Sequence, residues 1–123
     1  MITAASPISK DVQEFLKVAF SCPMIECYGL SETSGAMTST RVQDPCSGTI
    51  GGPFRHTAIR IKDLPEMDYR ITDKPYPRGE ICMRSPCVTS GYFANPEKTS
   101  ESIDAQGYFH SGDVGVFFPN GTI

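Results

Sequence analysis

Val12, Phe15, Leu16, Ala19 and Phe20 recur at i, i+3, i+4, i+7 and i+8. That spacing puts them on one face of a helix, with Lys10, Asp11, Gln13, Glu14 and Lys17 elsewhere. Ser6 or Ser9 is positioned to cap it, and Pro23 ends the pattern. The short apolar run Met1–Ala4 before it and Met24–Tyr28 after it read as strands. Strand, helix, strand at this spacing predicts a parallel crossover unit. A polar turn rich in Gly, Ser and Thr follows.

From about Gly48 the pattern changes to period two. His56–Asp63 alternates, with Ile59 and Ile61 on one side, and Glu80–Arg84 alternates with Ile81 and Met83. Residues 63–77 are irregular and hold Pro65, Pro75 and Pro77. Asn95-Pro96-Glu97 has the order of a helix start: cap, Pro at the first helical position, acid in the first turn. This short helix should end before Gly107. Val114–Phe118 reads as another strand, and Phe118-Pro119-Asn120-Gly121 as a hairpin turn. The expectation is therefore a mixed α/β chain. Residues 1 to about 35 carry the crossover unit and its loop, and the chain is β-rich after residue 48. Met1 starts where a strand should already be running, and only Thr122 and Ile123 remain to return from the hairpin. Both ends look cut through secondary structure, as in a fragment of a longer protein.

Composition narrows the class. The chain has 123 residues, 39% hydrophobic and 20% charged, which suits one globular unit with a modest core. Gly (11) and Pro (10) are numerous and agree with many turns. The net charge is −3 with no run of Lys or Arg, which argues against a nucleic-acid partner. No apolar stretch approaches the roughly 20 residues of a membrane helix. The five cysteines are odd in number, and Cys22/Cys27 and Cys82/Cys87 are spaced too widely for a compact zinc motif. Neither His56 nor His110 lies near a cysteine pair along the chain. Free thiols in a reducing compartment are the expectation.

Two segments carry candidate chemistry. Tyr28-Gly29-Leu30-Ser31-Glu32-Thr33 follows a predicted parallel strand, where open α/β sheets bind ligands. Tyr28 offers a flat face for an aromatic base, and Gly29 allows close backbone approach. Ser31 and Thr33 offer hydroxyls to phosphate, and Glu32 is a hard oxygen ligand suited to magnesium. By residue types alone, a plain polar loop with a capping Ser is the simpler reading. The second segment is Gly107-Tyr108-Phe109-His110-Ser111-Gly112-Asp113. A carboxylate after a Gly turn suits two ribose hydroxyls, although a surface turn explains it as readily. His110, without a placed partner, is more often structural than catalytic. Gly79-Glu80-Ile81, with Gly91-Tyr92, is a third segment and reads as a strand and its turn.

Taken in order, Tyr28-Gly29-Leu30-Ser31-Glu32, Gly79-Glu80-Ile81-Cys82 with Ser90-Gly91-Tyr92, and Tyr108-Phe109-His110-Ser111-Gly112-Asp113 resemble the adenylate-forming superfamily. That group holds acyl-CoA synthetases, luciferases and peptide-synthetase adenylation domains. Asp63-Leu64-Pro65-Glu66-Met67, Tyr76-Pro77-Arg78-Gly79-Glu80, Asn95-Pro96-Glu97-Lys98-Thr99 and Pro119-Asn120-Gly121-Thr122 are most similar to long-chain fatty acyl-CoA synthetases. The resemblance implies the later part of a large N-terminal domain: the end of an α/β subdomain, then a distorted β-barrel subdomain. It implies a ligase that joins a fatty acid to ATP as acyl-adenylate and passes the acyl group to CoA, with Mg2+.

By resemblance, Tyr28 stacks on adenine and Ala5 and Ser6 pack on its other face. Glu26 and Cys27 lie near the base, and Gly29 belongs to the same nucleotide-binding motif. Ser31 binds phosphate, Glu32 holds magnesium, and Asp113 grips the ribose. Ser31 and Ser111 stand where the family usually has Thr, Ala4 and Ala5 where it usually has Gly, and Tyr108 where long-chain members have Trp. The family's phosphate-binding Ser/Thr/Gly-rich loop and its lysine-bearing C-terminal domain are not among these residues, so the chain alone is expected to be inactive. An intracellular, cytoplasmic location is implied, with the parent associated with the cytoplasmic face of a membrane. The unpaired apolar edge at 114–118 suggests self-association. A medium-chain synthetase, an adenylation domain or a non-catalytic binding module are the alternatives.

Overall fold

The computed structural model describes residues 1–44 and 47–123, and Cys46 lies outside the described residues. Two sheets face each other. The first has the order β1 (Ile2–Thr3), β2 (Ile25–Leu30), β3 (Gly35–Ser39), β4 (Gly52–Pro53). The second is β5 (Ala58–Lys62), β6 (Arg78–Arg84), β7 (Phe109–Val116). Among the described residues, the α-helices are α1 (Lys10–Ala19) and α2 (Pro96–Ser102).

β1 and β2 pair in parallel through α1, as the crossover pattern predicts. Ser9 is the cap, its Oγ accepting from Val12 N at 3.3 Å. The apolar stripe of α1, however, is not packed. Phe15 is 68% and Phe20 64% exposed, while Gln13 is buried. The reason is polar. Gln13 reaches Glu26 of β2 and accepts from Gly48 N, and Lys17 donates to Ser47. These contacts turn the polar side of the helix toward its own sheet.

The segment after β2 is not only a turn. A 3-10 helix over Ser31–Thr33 reverses the chain into β3, which lies antiparallel on β2. Thr33 is buried and its Oγ1 accepts from Leu30 N at 2.8 Å, so one side chain closes this reversal. β4 continues the first sheet past residue 48.

β5, β6 and β7 form an open antiparallel sheet. Asn95 caps α2 through Lys98 N at 3.0 Å, with Pro96 at the first helical position. The final strand starts earlier than its apolar run, at Phe109 instead of Val114. Gly112 and Asp113, which read as a turn, lie inside it. The hairpin turn is present: Gly121 N donates to Phe118 O at 2.9 Å, with Gly121 at φ 82°. Ile123 then pairs with Ile50 and Gly51. Met37 of the first sheet, Ile81, Met83 and Phe109 of the second, and Ile123 form the core between the sheets. Burial of this apolar area, at roughly 25 cal/mol per Å2, holds the two sheets together. β7 is an edge of its sheet, and Val114 on it is exposed.

Candidate functional site

Each sheet contributes one irregularity to the site. In the first, the β2–β3 register shifts between Tyr28 and Gly29, because Met37 on β3 has no opposite residue. Gly29 lies so close to β3 that a Cβ there would stand 2.0 Å from the Gly35 carbonyl oxygen. The close approach that this glycine permits is thus to β3. In the second sheet, Ser111, Gly112 and Asp113 of β7 stand opposite the single residue Ile81 of β6. Gly112 takes φ 75° at this bulge, in the region that favours glycine. Bulges re-aim side chains. Here the two meet: Tyr28 Oη donates to Asp113 Oδ2 at 2.7 Å.

The bulge at Asp113 is braced from β6. Ser111 Oγ donates to Ile81 O at 2.7 Å and accepts from Asp113 N at 3.1 Å. Gly112 N donates to Glu80 Oε1 at 3.1 Å. The other Glu80 oxygen, Oε2, is 2.8 Å from His110 Nδ1. His110 Nε2 lies 3.4 Å from Asp104 Oδ2, and Arg60 pairs with Asp104. His110 therefore sits between two carboxylates, in a bracing position. Burial pushes the Tyr28 phenol well above its ordinary range, and the neighbouring Asp113 and Glu80 charges push it the same way. Tyr28 consequently stays a neutral donor toward Asp113.

Glu32 is brought to a second tyrosine. Tyr92 Oη donates to Glu32 Oε1 at 2.9 Å, and Thr89 N donates to Glu32 O at 2.7 Å. The hydrogen bond to this carboxylate raises the Tyr92 phenol first, with burial adding to it. Ser31, one residue earlier, is exposed. The Glu32 carboxylate fits one hard-cation position, since Tyr92 engages one of its oxygens and Oε2 remains as an acceptor.

Glu26, Cys27, Ala5 and Ser6 lie further along the first sheet. Glu26 is 7% exposed and burial raises its carboxyl above the usual range, with the hydrogen bond from Gln13 pulling the other way. The Glu26 backbone is used on both sides by Thr40: its N–H donates to Thr40 Oγ1 at 2.8 Å and its carbonyl accepts from Thr40 N at 2.9 Å. Cys27 Sγ is 3.6 Å from Ser39 Oγ across the β2–β3 pair. Ala5 adopts φ 75°, a left-handed conformation unusual for a residue with a Cβ, and Ser6 is exposed beside it.

The profile of a family described as "AMP-binding enzyme" matches residues 1–93. The chain belongs to this family. Asp113 lies beyond the matched stretch, but full-length relatives align across it. Long chain acyl-CoA synthetase 7, peroxisomal, of Arabidopsis thaliana is 42% identical over 123 residues, covering 100% of this chain and 18% of its own length. Long-chain-fatty-acid–CoA ligase 1 of Homo sapiens is 37% identical over 123 residues, covering 100% of this chain and 17% of its own length. The chain thus spans under one fifth of the curated relatives it matches. Among solved structures, ATP-bound MatB from Rhodopseudomonas palustris superposes with a TM-score of 0.83 at 27% identity, over 98% of this chain and 24% of that one. The A domain of carboxylic acid reductase from Segniliparus rugosus, in complex with AMP and a co-purified carboxylic acid, gives 0.79 at 27% identity, over 99% and 18%. This member of the AMP-binding enzyme family is therefore a mixed α/β chain of the adenylate-forming group, similar in sequence to long-chain acyl-CoA synthetases.

Sequence reasoning missed Tyr92 as the partner of Glu32 and Glu80 as the brace of the Asp113 bulge. Gly91-Tyr92 and Gly79-Glu80 stood out as segments, but no spacing along the chain joins them to their partners. Among the described residues no helix is long and apolar enough to cross a membrane.

Proposed function

We propose that these residues form the adenosine-holding part of a long-chain fatty acid–CoA ligase. The enzyme joins a fatty acid carboxylate to the α-phosphate of ATP, releasing pyrophosphate, and the CoA thiol then displaces AMP from the acyl-adenylate. The observation that carries the reading is the meeting of Tyr28 and Asp113, within a chain whose whole length aligns with long-chain acyl-CoA synthetases.

In this reading the Tyr28 ring stacks on adenine, and Ala5 and Ser6 cover its other face. Glu26 and Cys27 border the base, with Gly29 keeping β3 tight against β2. Asp113 accepts the ribose hydroxyls while the Tyr28 hydroxyl fixes the carboxylate. Ser31 donates to phosphate. Glu32 holds Mg2+, which supplies charge neutralisation on the phosphates when bound. The reaction needs orientation and charge stabilisation more than a protein nucleophile. Residues 1–47 end the α/β subdomain and residues 48–123 belong to the β-barrel subdomain, in an enzyme working inside the cell, on the cytoplasmic side.

The full-length protein should release AMP with palmitate, ATP, Mg2+ and CoA, and much less with short-chain, malonyl or amino acid substrates. A preference for a short or an amino acid would move it to another adenylate-forming branch. Failure to form any adenylate would overturn the reading.

A further inference from the structure

The β6–β7 pairing assembles a donor set that spacing along the chain conceals. Glu80 and Cys82 are two residues apart on β6 and so share one face. His110 on β7 is the direct cross-strand partner of Cys82. Their ligating atoms converge, all within 4.8 Å of one another. Cys82 Sγ is 3.6 Å from His110 Nδ1 and 3.9 Å from Glu80 Oε2, and Nδ1 is 2.8 Å from Oε2.

We propose that Glu80, Cys82 and His110 form a binding site for a thiophilic divalent cation of the Zn2+ or Cd2+ type. Tetrahedral bonds of about 2.0–2.3 Å place neighbouring ligand atoms roughly 3.3–3.6 Å apart. Two of the three separations are already near that range, and only the imidazole and carboxylate must part by about half an ångström, as an ion replaces the proton between them. Cys82 gives up its thiol proton to solvent. Nδ1 offers its lone pair while the imidazole proton resides on Nε2, facing Asp104 Oδ2 at 3.4 Å. A carboxylate behind a metal-bound histidine fixes its tautomer and raises its basicity. Arg60 holds that carboxylate in turn. Three protein ligands leave a fourth position for water.

The thiolate sets the selectivity. Soft and nitrogen donors favour Zn2+ or Cd2+ over Mg2+, so this site does not compete with Glu32 for magnesium. It also lies directly behind the nucleotide-facing bulge. Glu80 Oε1 keeps its bond from Gly112 N at 3.1 Å while Oε2 serves the ion.

Co2+ titration of the chelator-stripped full-length protein tests this. The expected result is one equivalent bound with a thiolate-to-cobalt charge-transfer band in the near ultraviolet, displaced by Zn2+. Cys82→Ser should abolish the band, and Glu80→Gln and His110→Gln should each weaken binding about 100-fold. Asp104→Asn should weaken it roughly 10-fold, the scale expected of a group behind a ligand. A variant with Cys22, Cys27, Cys46 and Cys87 replaced by Ser must keep the band, which preserves the test should Cys82→Ser fail to fold. Absence of the band in the parent protein, its persistence in Cys82→Ser, or its loss in this fourfold variant would each overturn the proposal.

Discussion

The Tyr28 hydroxyl donates a 2.7 Å hydrogen bond to Asp113 across 85 residues of chain. It joins two sheets at their irregular points and gives the carboxylate a fixed position before any nucleotide arrives. Asp113→Ala should raise the KM for ATP in the full-length protein by about 10- to 100-fold, because a charge-assisted hydrogen bond contributes roughly 1.5–3 kcal/mol. Tyr28→Phe keeps the ring and should cost less than Tyr28→Ala, which removes the stacking face as well. ATP saturation curves for the three variants check the order. Unchanged kinetics in Asp113→Ala would refute the ribose role.

Glu32 and Tyr92 form the second link between the halves. Glu32→Ala should slow adenylate formation and shift its Mg2+ dependence to higher concentration. Tyr92→Phe frees the carboxylate without removing it, so its effect should be about 1 kcal/mol or less, near fivefold. Magnesium titrations of pyrophosphate release separate the two. Equal damage from both substitutions would mean that Glu32 acts through its tyrosine contact and not through the cation.

Ala5 stands at φ 75°, where a Cβ is unfavourable by about 1–2 kcal/mol. Ala5→Gly relieves that cost while adding backbone entropy to the unfolded chain. The net expectation is a gain of about 0.5–1 kcal/mol, measured by denaturant unfolding of the full-length protein. A loss of stability would show that the methyl group packs favourably.

Glu26 is buried with Gln13 reaching its carboxyl, and burial raises its affinity for a proton above the unfolded value. Between the unfolded and the raised folded pKa the native state therefore holds more protons than the unfolded state, so stability falls as pH rises through that window. Glu26→Gln mimics the protonated form. It should raise the melting temperature at pH 7, and the difference should vanish as pH drops below the ordinary carboxylate range. A difference independent of pH would exclude the linkage.

The 123 residues by themselves are expected to bind AMP at roughly millimolar strength, near 4 kcal/mol, and to form no acyl-CoA. The reaction needs phosphate-cradling groups beyond Ser31 and Glu32. The outer edge of β7, with exposed Val114, is expected to pair with a second copy. Turnover in an AMP-release assay with palmitate, or an elution volume independent of concentration, would contradict these two expectations.

The elements with strong local signals were legible from the residues. Ser9 and Asn95 cap their helices as their side-chain chemistry requires, and Asn120-Gly121 turns the chain where a positive φ is needed. The ordered motifs, from Tyr28-Gly29 to Gly112-Asp113, were sufficient for the family, since they are contiguous. β3 was not legible, because Gly35–Ser39 is a short run of mostly small and polar residues whose buried members, Met37 and Thr38, are adjacent instead of alternating. The apolar stripe of α1 predicted a packed face, but Gln13 and Lys17 found partners on the other side. The pairings that make the site (Tyr28 with Asp113, Glu32 with Tyr92, Cys82 with His110) depend on strand register and on where two bulges fall. Register is a property of two segments at once, so only the tertiary structure decided it.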